Sequence, residues 1–171
     1  MRVSIDELAG ARLLDSPVHR DDRGYFTKIV ERDGSGSHEQ LCSSYNQEAG
    51  TVRGLHHQVA PYVETKLVWC VSGSLFDVLV DLRPEQPTYG DWAAVELSEP
   101  GAAVVVPPGV AHGYQTLADD TTVIYLIDGD FSAAHARTLR WDDPTVAVAW
   151  PRDATVLSQQ DRTAPSWPPA S

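Results

Sequence analysis

From residue 66 to residue 127 the sequence is a succession of short β-patterned runs broken by glycine and proline turns, and nothing else limits the possible folds as strongly. Lys66-Leu-Val-Trp-Cys-Val71 and Leu75-Phe-Asp-Val-Leu-Val-Asp-Leu82 are rich in β-branched and apolar residues and are joined by Ser72-Gly73-Ser74, the pattern of a hairpin. Residues 92–97 and 102–106 are further short runs, separated by Pro100-Gly101 and closed by Pro107-Pro108-Gly109, and residues 121–127 form the last clear one. Upstream, Asp21-Asp22-Arg23-Gly24 reads as a turn feeding a strand over residues 25–30, residues 33–40 as a Gly/Ser-rich surface loop, and residues 41–46 lead to a turn at Glu48-Ala49-Gly50. Short strands with turns about every ten residues, and little helical periodicity between 20 and 130, predict an all-β fold, closed or made of two sheets.

A chain of 171 residues with 42% hydrophobic content fits one domain over residues 1–171, with a core of about 21–150 and a tail of 151–171. The stretch after Asp142-Asp143-Pro144 bears prolines and tryptophans, a short helix is expected near residues 157–162, and residues 165–171 are expected to be loosely held. The net charge of −11 argues against nucleic acid or an anionic membrane surface as a partner. An anionic small ligand would need a local cluster of cations, and 11 of the 13 basic residues are arginine, the side chain suited to bidentate phosphate contacts. Cys42 and Cys70 match no metal or redox spacing and are expected to be reduced thiols. With no apolar run of signal-peptide or membrane-spanning length, a soluble cytoplasmic protein is expected.

The polar residues set among these β-runs ask for a chemical reason. Arg53-Gly54-Leu55-His56-His57-Gln58 places an arginine and two histidines at the head of the β-rich region, and Lys66, one of only two lysines, opens the run that follows. Further on, Gly101-x5-Pro107-x-Gly109-x2-His112 resembles the second half of the cupin motif, whose histidine is a ligand in metal-dependent members. Here His56 and His57 are adjacent and point to opposite faces of a strand, and the nearest following glutamate, Glu64, is too distant for the usual set. The metal set is incomplete, so no metal or other cofactor is expected, and His112 reads as a hydrogen-bonded interior residue. A metal-dependent cupin enzyme using His112 with His56 or His57 stands as the alternative.

Six blocks then occur in one order: Arg53-Gly-Leu-His-His-Gln58, Lys66-Leu-Val, Asp77-Val-Leu-Val-Asp-Leu-Arg83, Pro107-x-Gly-x-Ala-His-Gly113, Arg140-Trp-Asp-Asp-Pro144 and Leu157-Ser-x-x-Asp-Arg162. Together, from about residue 21 to 165, they resemble the dTDP-4-dehydrorhamnose 3,5-epimerase family, metal-independent sugar-nucleotide epimerases with a cupin-type jelly-roll barrel. The resemblance implies a homodimer and epimerisation of a dTDP-linked 4-keto-6-deoxyhexose at C3, C5 or both. That chemistry needs a base near neutrality, a cation at the developing enolate oxygen and an acid on the opposite face. By the resemblance His56 is the base, Asp161 the carboxylate that orients it, Lys66 the enolate stabiliser and Tyr125 the acid. Arg23 and Arg53 match residues that contact the nucleotide pyrophosphate. Gln58, two along from His56, shares its strand face and is expected to line the same cavity, and His112 and Phe131 are grouped with it as substrate-binding residues.

The pattern is broken at the sugar's walls. Phe131 stands where the family carries a tyrosine, Asp130 replaces another aromatic, Lys28 replaces a frequent glutamate, and Ser43-Ser44-Tyr45-Asn46 departs from the usual stretch before the glycine turn. These changes leave the natural ketosugar and the epimerised carbon open, and a non-catalytic sugar-nucleotide-binding module is the second alternative. Strand alternation puts His56 and Gln58 on the cavity side and His57 on the other. It also puts Arg53 on the opposite parity from His56, so the chain must bend near Gly54 for both to reach one ligand.

Overall fold

The computed structural model describes residues 18–30, 40–98 and 102–167. Eleven strands and one short helix follow in order: β1 (Val18–Asp21), β2 (Gly24–Val30), β3 (Gln40–Asn46), β4 (Val52–Gln58), β5 (Thr65–Ser72), β6 (Ser74–Asp81), β7 (Trp92–Ser98), β8 (Ala103–Val106), β9 (Val110–Thr116), β10 (Thr121–Asp128), β11 (Ala136–Thr138) and α1 (Gln159–Arg162). They form two antiparallel sheets, β1-β2-β3-β10-β5-β8 and β11-β4-β9-β6-β7, as the all-β reading expects. Cys42, Val68, Val106, Val123 and Tyr125 from the first sheet pack with Leu75, Leu97, Val110 and Tyr114 from the second. The main core therefore lies between the sheets.

The hairpin expected at Ser72-Gly73-Ser74 is not one. Strand β5 pairs with β10 and β8, whereas β6 pairs with β7 and β9. The turn carries the chain from one sheet to the other, with Gly73 at φ +79 pressed so close to Thr121 that a Cβ would lie 2.4 Å from its hydroxyl. Hairpins and sheet-to-sheet corners share the same turn residues. They differ in what the strands bury, and β6 is covered on both faces, with Leu75 in the inter-sheet core and Val78 and Val80 in a second cluster outside it.

That second cluster corrects the reading of the tail. Leu139, Val146, Val148, Trp150 and Trp167 cover the outer face of the second sheet against Leu55, Val78, Val80 and Ala111. The buried carboxylate of Asp143 accepts hydrogen bonds from the backbone N–H groups of Thr145 at 2.8 Å, Val146 at 3.1 Å and Trp167 at 2.7 Å, and the Arg140 N–H donates to the Pro165 carbonyl at 3.0 Å. Residues 165–167 are thus pinned, while 168–171 lie outside the described residues, as do 31–39, most of the expected surface loop. The expected helix near 157–162 is α1, capped at its N-terminus by Ser158, whose hydroxyl accepts from the Asp161 N–H. Cys42 and Cys70 are buried in the inter-sheet core as thiols. No helix among the described residues is long and apolar enough to cross a membrane.

Candidate active site

The two sheets open on a cavity of about 710 Å³ lined by His56, Lys66, Tyr125, Arg23, Arg53, Gln58, His112 and Phe131, together with His57 and Glu64. Asp161 lies behind this wall, fully buried, and touches the cavity through His56. All nine residues singled out from the sequence therefore converge on one place, although they come from four strands, a turn, a loop and a helix. Strand β4 carries Arg53 and His56 to it by bending. The β4–β9 register shifts between them, and Gly54, at φ +142, passes so near β9 that a Cβ would sit 2.6 Å from the Gly113 Cα. The bend brings residues of opposite parity to one cavity. It also brings His57 there, contrary to the alternation that set it apart.

The His56 Nε2 lies 2.6 Å from the Asp161 Oδ1, and the other carboxylate oxygen accepts from the Arg23 Nη1 at 2.9 Å. Burial raises the affinity of Asp161 for a proton, but the bonded and charged His56 ring, the hydrogen-bonding Ser158 side chain and the Arg23 charge outweigh it, and its carboxyl is held below the usual range. The carboxylate is thus ionised at neutral pH and fixes the imidazole with its other nitrogen free to face the cavity. Three of the five Arg23 N–H groups are engaged by carboxylates, since Nε and Nη2 also clasp Asp21 at 3.0 and 2.6 Å. Arg23 therefore braces the His56–Asp161 pair as well as lining the cavity, a link that the sequence did not disclose.

Lys66 is 9% exposed and sits between the Glu64 carboxylate at 2.9 Å and the His56 carbonyl at 3.4 Å. In the sequence Glu64 reads only as a glutamate too distant for a metal set; in the structure it is the counter-ion of Lys66. It also accepts from the Gln58 Nε2 at 3.0 Å, and Gln58 ties down the next loop by donating to the Asp130 carbonyl at 3.1 Å and accepting from the Ser132 N–H at 2.7 Å. The same loop carries Phe131, whose ring is 59% exposed at the mouth. His112 is buried beside His56 in the β4–β9 register, with its Nε2 2.7 Å from the Asp77 Oδ1, in keeping with a hydrogen-bonded interior residue. Asp77, which opens one of the six blocks, is a second partner, and an acid within an apolar run is the sequence signal for it. Burial, with help from the nearby Lys66 and Arg137 charges, pushes the His57 imidazole down to about 4, so this ring is neutral where His56 would work. Among the described residues no group of three or more His, Cys, Asp or Glu side chains is arranged to hold a metal ion.

Residues 6–168 match the family described as dTDP-4-dehydrorhamnose 3,5-epimerase. The chain belongs to this family. A dTDP-4-dehydrorhamnose 3,5-epimerase from Sinorhizobium fredii is 42% identical over 167 residues, covering 93% of this chain and 86% of its own. The crystal structure of a Bacillus anthracis dTDP-4-dehydrorhamnose 3,5-epimerase with TDP and PPi bound is similar at a TM-score of 0.73 and 38% identity, covering 89% and 91% of the two chains. A 3'-monoepimerase, ChmJ from Streptomyces bikiniensis in complex with dTDP-quinovose, is similar at a TM-score of 0.70 and 29% identity, covering 88% and 80%. The two antiparallel sheets are thus the cupin-like jelly roll of the epimerase family, and the chain is that of an isomerase fold family in which both double and single epimerases occur.

Proposed function

We propose that the protein epimerises a dTDP-linked 4-keto-6-deoxyhexose by removing a proton beside the C4 ketone and returning one on the opposite face. His56, oriented by Asp161, is the base. Lys66 carries the positive charge toward the enolate oxygen and Tyr125 is the acid. Arg53 and Arg23 face the pyrophosphate, while Gln58, His112 and Phe131 bound the sugar. The observation that carries this reading is a histidine on a buried, ionised aspartate at 2.6 Å, in one cavity with a lysine and a buried tyrosine. A binding module would need the arginines but not this set. The reaction needs only proton transfers, which the side chains present supply without a metal or cofactor.

Incubation with dTDP-4-keto-6-deoxyglucose in deuterated water, followed by NMR, is expected to show deuterium at C3, C5 or both. The labelled position gives the regiochemistry, which the departures at Phe131 and Asp130 leave open. No label despite tight dTDP binding would overturn the reading in favour of a binding module.

The protein also works as a homodimer in this proposal, in the cytoplasm. Support comes from the outer face of the first sheet, where Leu41, Leu126, Leu67 and Val105 lie side by side across β3, β10, β5 and β8, with Ile124 next to Trp69 in the adjoining row. Val105 is 61% exposed and Val71 40%, and such a continuous apolar face favours a self-complementary partner. Light scattering after size exclusion is expected to give a mass near twice 18.7 kDa, and Val105→Asp to shift it toward the monomer. A monomeric wild type would reject the dimer.

A further inference from the structure

Tyr125 does not stand alone in the core. Its hydroxyl is 3.1 Å from the Ser44 Oγ, which is 2.8 Å from the Tyr114 hydroxyl. Tyr114 is in turn 3.2 Å from the Asn46 Nδ2, and the Asn46 Oδ1 accepts from the Arg53 Nε at 2.7 Å. Ser44, Asn46 and Tyr114 are each at most 1% exposed, so these bonds are made without competing water. The chain runs unbroken from the arginine that faces the pyrophosphate to the tyrosine that faces the sugar. Two of its members, Ser44 and Asn46, fall in the stretch where the sequence departs from the family pattern.

The chemistry of the donors sets the direction of the chain. Arg53 can only donate, so the Asn46 oxygen accepts and the amide nitrogen is left to donate, to the Tyr114 oxygen at 3.2 Å and the Thr121 carbonyl at 3.1 Å. With its oxygen receiving that bond, Tyr114 sends its own hydrogen to the nearer acceptor, the Ser44 Oγ at 2.8 Å, in preference to the Asn46 oxygen at 3.4 Å. Ser44 then donates to the Tyr125 oxygen.

Resting on the function proposed above, we infer that Ser44, Tyr114 and Asn46 are positioning residues that aim the Tyr125 proton at the sugar and receive the phenolate it leaves. Because the Tyr125 oxygen accepts from Ser44, its own hydrogen is turned away from the chain and into the cavity. On transfer, the Tyr125 O–H bond breaks, its hydrogen forms a C–H bond with the electron pair of the enolate, and the phenolate keeps the O–H electrons. The phenolate then accepts the Ser44 hydrogen bond, with the Arg53 charge at the far end of the row. His56 meanwhile holds the proton taken from the substrate. Exchange with cavity water removes it and restores one to Tyr125, so protons balance over a turnover. The burial that pushes the Tyr125 phenol well above its usual range makes such help necessary, and the neighbouring Tyr114 raises it further, while Arg53 and the Ser44 bond pull the other way.

The test follows deuterium in the starting sugar and in the epimer separately, with dTDP-4-keto-6-deoxyglucose in deuterated water. When reprotonation by Tyr125 is impaired, the enolate recaptures solvent deuterium from His56 and returns as labelled starting sugar. Tyr114→Phe and Ser44→Ala are each expected to cut epimer formation about tenfold, the scale of one hydrogen bond to a charged oxygen. Label should continue to enter the starting sugar, so the ratio of exchange to epimerisation rises. Affinity for dTDP should stay within about twofold, because Arg53 keeps its bonds to Asn46 and to the Tyr25 and Tyr45 carbonyls. A wild-type ratio in both variants overturns the inference, and so does an equal fall in both labels with a lowered melting temperature, which marks a structural role. If the wild type itself neither exchanges nor epimerises, the proposed function fails first and takes this inference with it.

Discussion

Replacing His56 with alanine is expected to reduce both deuterium exchange and epimer formation by about 10²- to 10⁴-fold, the range for loss of a general base, while leaving dTDP affinity within a few-fold. The split follows from where the side chain sits. The His56 side chain is 38% exposed at the cavity wall, so its removal opens no void in the core. Arg53 is held by Asn46 and by the Tyr25 and Tyr45 carbonyls, none of which touches His56. Asp161 loses the partner that does most to lower its pKa but keeps the Arg23 Nη1 at 2.9 Å and the Ser158 cap. Its carboxylate should therefore stay ionised at neutral pH, and the melting temperature should change little. Exchange measured by NMR and dTDP binding measured by calorimetry check the two halves. His57→Ala is the control, because this ring is neutral and lacks the carboxylate that holds His56. If His57→Ala abolishes exchange and His56→Ala does not, the base has been misassigned.

The sequence disclosed the parts of this site better than their connections. His56, Lys66 and Tyr125 stood out because a basic or hydroxylated side chain in a β-run has to be accounted for, and the spacing of the six blocks then gave each a role to test. Arg53 and Gly54 were legible together, since opposite parity on one strand can be reconciled only by a bend. His57 was misplaced by the same parity rule, which assumes a regular strand and fails beyond the irregularity at Gly54. What remained hidden was contact between distant segments. Arg23 and Asp161 are 138 residues apart and bonded, and no local pattern marks one as the partner of the other. Ser44, separated from Tyr125 by 81 residues, is a small polar residue whose importance comes only from the strand paired beside it. The fold failed in the same manner at Ser72-Gly73-Ser74. A glycine turn is a local signal, whereas the choice between a hairpin and a change of sheet depends on which faces are buried once the tail has packed.

Lys66→Met is expected to cost about 10²- to 10³-fold in turnover, the usual loss when one preorganised group at a developing oxyanion is removed. Methionine keeps most of the aliphatic stem that fills the space beneath the ammonium, so the change is chiefly electrical. It has a second consequence. The Glu64 carboxylate, only 13% exposed, loses its cation at 2.9 Å, and an ion left alone in a largely dry site destabilises the fold. A drop in both activity and melting temperature would be ambiguous, because a loosened Gln58–Glu64 contact also frees the loop at Asp130 and Ser132. The double variant Lys66→Met/Glu64→Gln separates the effects. A neutral amide at position 64 removes the stranded charge and can still accept from Gln58, so the melting temperature should recover. Turnover should not, if the ammonium is what the enolate meets. Recovery of both would make Lys66 a counter-ion for Glu64 and move the enolate's cation elsewhere, with Arg137 as the further arginine, beyond Arg23 and Arg53, among the described lining residues.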